Sequence, residues 1–224
     1  MKISALIAIS LASLAINASA APITYTSTLN GWYSSSGDHA NFNTNTFTGV
    51  IYGNSYNSFY NFQLAPVPKD KKVVSASITF FGGNGQYYSE DSSETVEIWD
   101  ATSQPGSNAS NMTVYNDLMS GIKFGEYTLK GTNYQLMPEF TVNLSDAAFA
   151  AISAGDFFSV GAHLSTSNPS RIEGLWAGSD AMPAAMLSVQ VDDIPNAVPE
   201  PSSIALIGLS LAGLAAVLRK RRAS

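Results

Sequence analysis

The chain has 224 residues, a formal charge of −6 and only 12% charged residues, against about 25% in an average soluble domain. It has no cysteine, which excludes disulfides and thiolate zinc sites. Residues 21–198 hold six Lys/Arg and sixteen Asp/Glu, a charge of −10, and a body of that sign is repelled by nucleic acid and by anionic lipid.

Lys2 opens the chain with a positive charge, followed by the apolar run Ile3 to Ile16 and the small-x-small triplet Ala18-Ser19-Ala20. This is the pattern of a signal peptide, with cleavage by signal peptidase expected between Ala20 and Ala21. An uncleaved anchor is the alternative. Residues 1–20 are therefore read as a signal for export by the Sec route, and residues 21–196 as one domain, long enough for a single sizeable core.

Within that domain the hydrophobic pattern has period two, as half-buried strands require. "FYNFQL" is an aromatic strand with Tyr60, Phe62 and Leu64 on one side, and "APVPKDKK" is the polar turn that follows it. In "VVSASITFF" the residues Val74, Ala76, Ile78 and Phe80 alternate with Ser75, Ser77 and Thr79. Val96 and Ile98 form the next such face, then Phe140, Val142 and Leu144, then Val160, Ala162 and Leu164, and finally Leu187, Val189 and Val191. Gly, Asn, Ser and Pro clusters such as "GGNGQ" and "STSNPS" separate the runs. Only "SDAAFAAIS" reads as a helix, with Ser145 as N-cap, Asp146 in the first turn and Gly155 beyond its end. Many strands, one short helix and no βαβ rhythm predict a mostly-β fold, a single antiparallel β-sandwich of jelly-roll type.

Candidate chemistry is sparse. The only histidines are His39 and His163; neither has ligand spacing, and His163 is placed on the polar, solvent side of its strand. Glu90, Asp91, Glu94, Glu97 and Asp100 fall within eleven positions. Close oxygen ligands in a loop suit calcium, so Glu90, Asp91 and Glu94 are candidates for a structural ion against a solvated acidic loop. Glu97 is expected on an outer face, away from them. No other cofactor is implied. Trp32, Tyr33, Tyr52, Tyr56, Tyr60, Tyr87, Tyr88, Tyr115, Tyr134 and Trp176 are more numerous than charged chemistry would need. Such rings either pack in cores or stack on sugars, and the loop pair Tyr87-Tyr88, flanked by Gly85 and Ser89, is the preferred exposed candidate.

The last segment, residues 197–224, begins with the extended Pro199-Glu200-Pro201. Ile204 to Leu218 is then fifteen residues without a charge, a hydrophobic helix of about 22 Å, short against a hydrocarbon core of about 30 Å. Arg219, Lys220, Arg221 and Arg222 follow as a stop-transfer cluster. The order of motif, span and basic end resembles the PEP-CTERM sorting signal. That resemblance implies recognition of Pro199, Glu200 and Pro201 by an exosortase of Gram-negative bacteria that make extracellular polysaccharide. It also implies transient residence in the inner membrane through a transmembrane helix at 204–218, then transfer to the cell surface or medium. A plain C-terminal anchor is the alternative. More weakly, the succession "GWYSSSGDHANFN", "VVSASITFF", "SSETVEIWDAT" and "YNDLMSGIKFGEYTL" is similar to a family of secreted PEP-CTERM proteins of unknown function. The resulting expectation is a non-catalytic structural or adhesive protein of the extracellular polysaccharide or biofilm matrix. A carbohydrate-binding module using exposed aromatics is the alternative, and a secreted polysaccharide hydrolase comes third.

Overall fold

Alternating side chains bury one face of a strand and leave the other free, and here that pattern produces two antiparallel sheets packed against each other. The computed structural model describes residues 21–106, 111–131, 134–178 and 183–194. The chain forms β1 (Ile23–Thr26), β2 (Leu29–Ser34), β3 (Thr46–Ile51), β4 (Asn54–Leu64) and β5 (Lys71–Phe80). After β6 (Gln86–Tyr88) and β7 (Ser93–Asp100) come α1 (Met112–Asp117), β8 (Lys123–Lys130), β9 (Gln135–Leu136) and β10 (Phe140–Asn143). The described part closes with α2 (Asp146–Ala154), β11 (Asp156–Leu164), β12 (Glu173–Ala177) and β13 (Ala185–Asp193).

One sheet has four strands in the order β1-β13-β5-β10. The larger runs β8-β7-β11-β4-β3-β12-β6-β9, with β2 added on β4. Between them lie Phe62, Ile78, Ile98, Phe124, Leu164 and Leu187, all fully buried; burying a side chain of this size stabilises by about 1.5–3 kcal/mol. The predicted helix is α2. Ser145 precedes it, Asp146 lies in its first turn, Gly155 ends it with φ +73°, and Ala148 and Ile152 are its buried residues.

Three expectations about the elements change. Val74 is exposed while Val73 is buried, because β13 pairs Gln190 with Ser75 and Val191 with Val73. The skipped Val74 is a bulge, and a bulge inverts the in–out order beyond it. A second helix, α1, is present, with Asn111 as N-cap accepting from the Thr113 amide. Finally, β4 is buried on both sides, since Tyr60, Phe62 and Leu64 enter the main core while Phe59 enters a second cluster. That cluster joins Phe59 and Tyr33 to Val114, Tyr115 and Leu118 of the α1 region. Gly161 on β11 permits the contact, for a Cβ there would stand 2.5 Å from the Leu118 Cα.

Candidate functional site

The pairing of β3, β12 and β6 brings aromatic side chains together on the outer face of the large sheet. Phe47 alternates with buried Thr46 and Thr48, Trp176 with buried Leu175 and Ala177, and Tyr88 follows buried Tyr87. Register sets Phe47 opposite Trp176 and Tyr88 opposite Gly174. Gly174 has no room for a side chain, because a Cβ would lie 2.9 Å from Phe47 Cζ and 2.7 Å from the Thr48 carbonyl oxygen. At the other side Tyr56 is paired both by Ser34 of β2 and by Gly49 of β3. Its ring meets Trp32 at 5.3 Å and Phe47 at 5.1 Å, both edge-on. Trp32 is held by its Nε1, which donates to Asn45 Oδ1 at 3.1 Å.

These rings, with Tyr134 (64% exposed), line a groove of about 680 Å³, inside the range of about 300–1,000 Å³ usual for small-ligand sites. Asn45, Gln86, Ile51, Ile172 and Gly174 complete the lining. Among the described lining residues there is no carboxylate, imidazole or amine. Aromatic faces are electron-rich and flat, so they suit a ligand with flat C–H-rich faces, while the two amides suit hydroxyls. General acid–base chemistry needs a titrating group within hydrogen-bond reach, and the described lining holds none but phenols.

Of the predicted contact pair, Tyr88 lies in the groove and Tyr87 does not. Tyr87 is fully buried, burial pushes its phenol up, and its hydroxyl donates to the Gly131 carbonyl at 3.3 Å. The pair forms a strand and not a loop, so neighbours face opposite ways. Of the other aromatics singled out in the sequence, Trp32, Tyr56, Tyr134 and Trp176 also reach the groove. Tyr33, Tyr60 and Tyr115 are core, with the Tyr60 phenol pushed up to about 12 by burial. Tyr52 is 86% exposed at the two-residue turn Tyr52-Gly53, where φ is positive at both positions, as a type I′ hairpin demands. Phe47 was not among the aromatics singled out.

The acidic stretch is reorganised by distant residues. Carboxylate oxygens of Asp91, Glu94 and Glu173 lie within 4.8 Å of one another, and Glu94 and Glu173 are fully buried. Arg171 joins them: its Nη1 is 2.6 Å from Asp91 and 3.5 Å from Glu173, and its Nε 3.4 Å from Glu90. Glu94 also accepts from the Ser89 hydroxyl at 2.7 Å and from Thr166, while Glu173 accepts from the Asn168 amide at 2.7 Å. Calcium takes six to eight oxygens. Of the calcium candidates of the sequence, Glu90 and Asp91 pair with Arg171, and Glu94 stands beside Asp91 and Glu173. Glu97 lies apart, paired with Lys123 at 3.1 Å.

Neither histidine joins the groove. His39 stacks on Tyr33 at 4.3 Å, and its Nδ1 contacts the Trp32 carbonyl at 2.8 Å. His163 is not the surface imidazole expected: its Nδ1 donates to Asn57 Oδ1 at 2.9 Å, and Asn57 in turn donates to the Tyr115 carbonyl of α1. The α1 layer covers that side of the sheet, and burial holds the His163 pKa below the ordinary value, against the opposing pull of Glu97.

Ala20, Pro199, Glu200, Pro201, Arg219, Lys220, Arg221 and Arg222, and the span 204–218, lie outside the described residues. Ala21 is described and exposed. Among the described residues no helix is long and apolar enough to cross a membrane. No curated protein matches the chain. Among solved structures, the Agl-KA catalytic domain is similar at 8% identity and a TM-score of 0.24, over 83% of this chain and 30% of that one; a likeness of that size carries no argument. Residues 197–222 match the PEP-CTERM protein-sorting motif, and the body that precedes them is a β-sandwich.

Proposed function

We infer export with exosortase-type processing from the sorting motif at residues 197–222. We propose that the exported body, residues 21–196, is a non-catalytic adhesive protein of the cell surface or its matrix, and that it holds extracellular polysaccharide in the aromatic groove. In this reading residues 1–20 are a signal peptide removed by signal peptidase, and residues 197–224 are gripped at Pro199, Glu200 and Pro201.

One observation carries the proposal: six aromatic side chains, Trp32, Phe47, Tyr56, Tyr88, Tyr134 and Trp176, converge on one groove with two amides. A monomeric sandwich gains nothing in its own stability from leaving Trp176 39% and Tyr134 64% exposed, and exposed apolar clusters mark binding surfaces. The shortage of titratable groups in the lining favours binding over hydrolysis.

The test is retention of the exported protein on surface polysaccharide purified from the producing cells, compared with a Trp32→Ala/Trp176→Ala variant. Retention by the wild type, loss by the variant and no release of reducing ends are expected. Equal retention of both proteins would reject the groove, and steady release of reducing ends would reject the non-catalytic reading.

A further inference from the structure

Resting on the groove as a glycan site, we propose that its ligand is an uncharged polysaccharide, and that acidic glycans are turned away by a lining without cations on a body of negative charge. The lining itself has no cation among the described residues. Recognition of a uronate or sulfate calls for a guanidinium or ammonium aimed at the oxyanion, and here Asn45 and Gln86 are the polar side chains other than the phenols.

Residues next to the lining in sequence argue the same way. Three lining positions adjoin the acidic cluster in sequence: Tyr88 runs on to Ser89, Glu90 and Asp91, and Ile172 and Gly174 flank Glu173, whose buried side chain lies on the opposite face of its strand. Arg171, next to Ile172 in sequence, is taken up by Glu90, Asp91 and Glu173. Three carboxylates meet this one guanidinium and Glu94 stands beside them, so the cluster has no cation to spare for an oxyanion. Other cations of the body are also engaged, Lys71 with Asp193 and Lys123 with Glu97 and Glu126. At −10 over residues 21–198, the long-range field repels a polyanion at low salt. A neutral chain meets neither barrier and can stack on rings and hydrogen-bond to amides.

The experiment uses surface polysaccharide of the producing cells, split by anion exchange into an unretained neutral fraction and a retained acidic one. Each is titrated into the exported protein at low and high salt. The expected result is binding of the neutral fraction with the same affinity at both salts, and binding at least about tenfold weaker for the acidic one. Glu90→Gln/Asp91→Asn releases Arg171 from two of its partners and should raise affinity for the acidic fraction severalfold, leaving the neutral fraction unchanged. Tighter binding of the acidic fraction overturns the inference while leaving the groove as a glycan site. Binding of neither fraction overturns the groove reading itself, as does a wild-type dimer that Trp176→Ala converts to monomer.

Discussion

Replacing Trp176 by alanine removes one of the two broadest rings of the groove with limited damage to the fold. A tryptophan presents about 150–250 Å², and Trp176 is 39% exposed, so about 60–100 Å² of ring remains for a ligand to cover. At about 25 cal/mol per Å², full coverage is worth about 1.5–2.5 kcal/mol, which corresponds to about a tenfold to fiftyfold rise in Kd. The structural cost is smaller, since the main loss is the cross-strand pair with Phe47, worth about 0.2–1 kcal/mol. Affinity electrophoresis in gels containing the neutral polysaccharide measures the first quantity, and urea unfolding the second. A Kd within twofold of wild type in a protein of unchanged stability would refute the assignment of Trp176 to the ligand surface.

Other expectations concern the scaffold and the sorting. Gly161→Ala forces a Cβ against the Leu118 backbone and should cost about 1–3 kcal/mol; an unchanged urea midpoint would mean that α1 is not seated on β11. His163 has a folded pKa depressed below 6.5, so the unfolded chain binds its proton first and stability falls as pH drops through that value toward the folded pKa. His163→Gln should flatten the loss of urea stability between about pH 7.5 and about pH 5.5 relative to wild type, and parallel curves would remove His163 as a cause. Alanine at Pro199, Glu200 and Pro201 should leave residues 204–222 attached in the membrane fraction, whereas the wild-type surface protein should begin at Ala21 and end near the motif by intact mass.

Where burial is one-sided and pairing is regular, the sequence is readable. Ile78 and Phe80, Val142, Val160 and Leu164, and Leu187 and Val189 all enter the core as their alternation says. Val74 is misread because a bulge is set by the partner strand β13, more than a hundred residues away. The second core is invisible locally, because Phe59 needs α1 to cover it, and α1 has too short an apolar pattern to announce itself. The groove is half legible for the same reason. Aromatic excess is plain in the composition, but whether Tyr87 or Tyr88 faces out depends on β6 pairing with β12, and Phe47 acquires its role only opposite Trp176. In the acidic network Glu90, Asp91 and Glu94 are visible as neighbours, while Arg171 and Glu173 arrive from about 80 positions along the chain.

The central claim is that glycan occupies the groove, and tryptophan emission tests it most directly. The chain has three tryptophans. Trp32 and Trp176 line the groove, while Trp99 stands on β7, its Nε1 bonded to Glu97 at 3.3 Å and separated from β12 by β11, β4 and β3. Titrating surface polysaccharide into the exported protein should give a saturable change in emission that disappears in Trp32→Phe/Trp176→Phe and persists in Trp99→Phe. A flat titration in the wild type, or a change that persists without Trp32 and Trp176, would contradict the account.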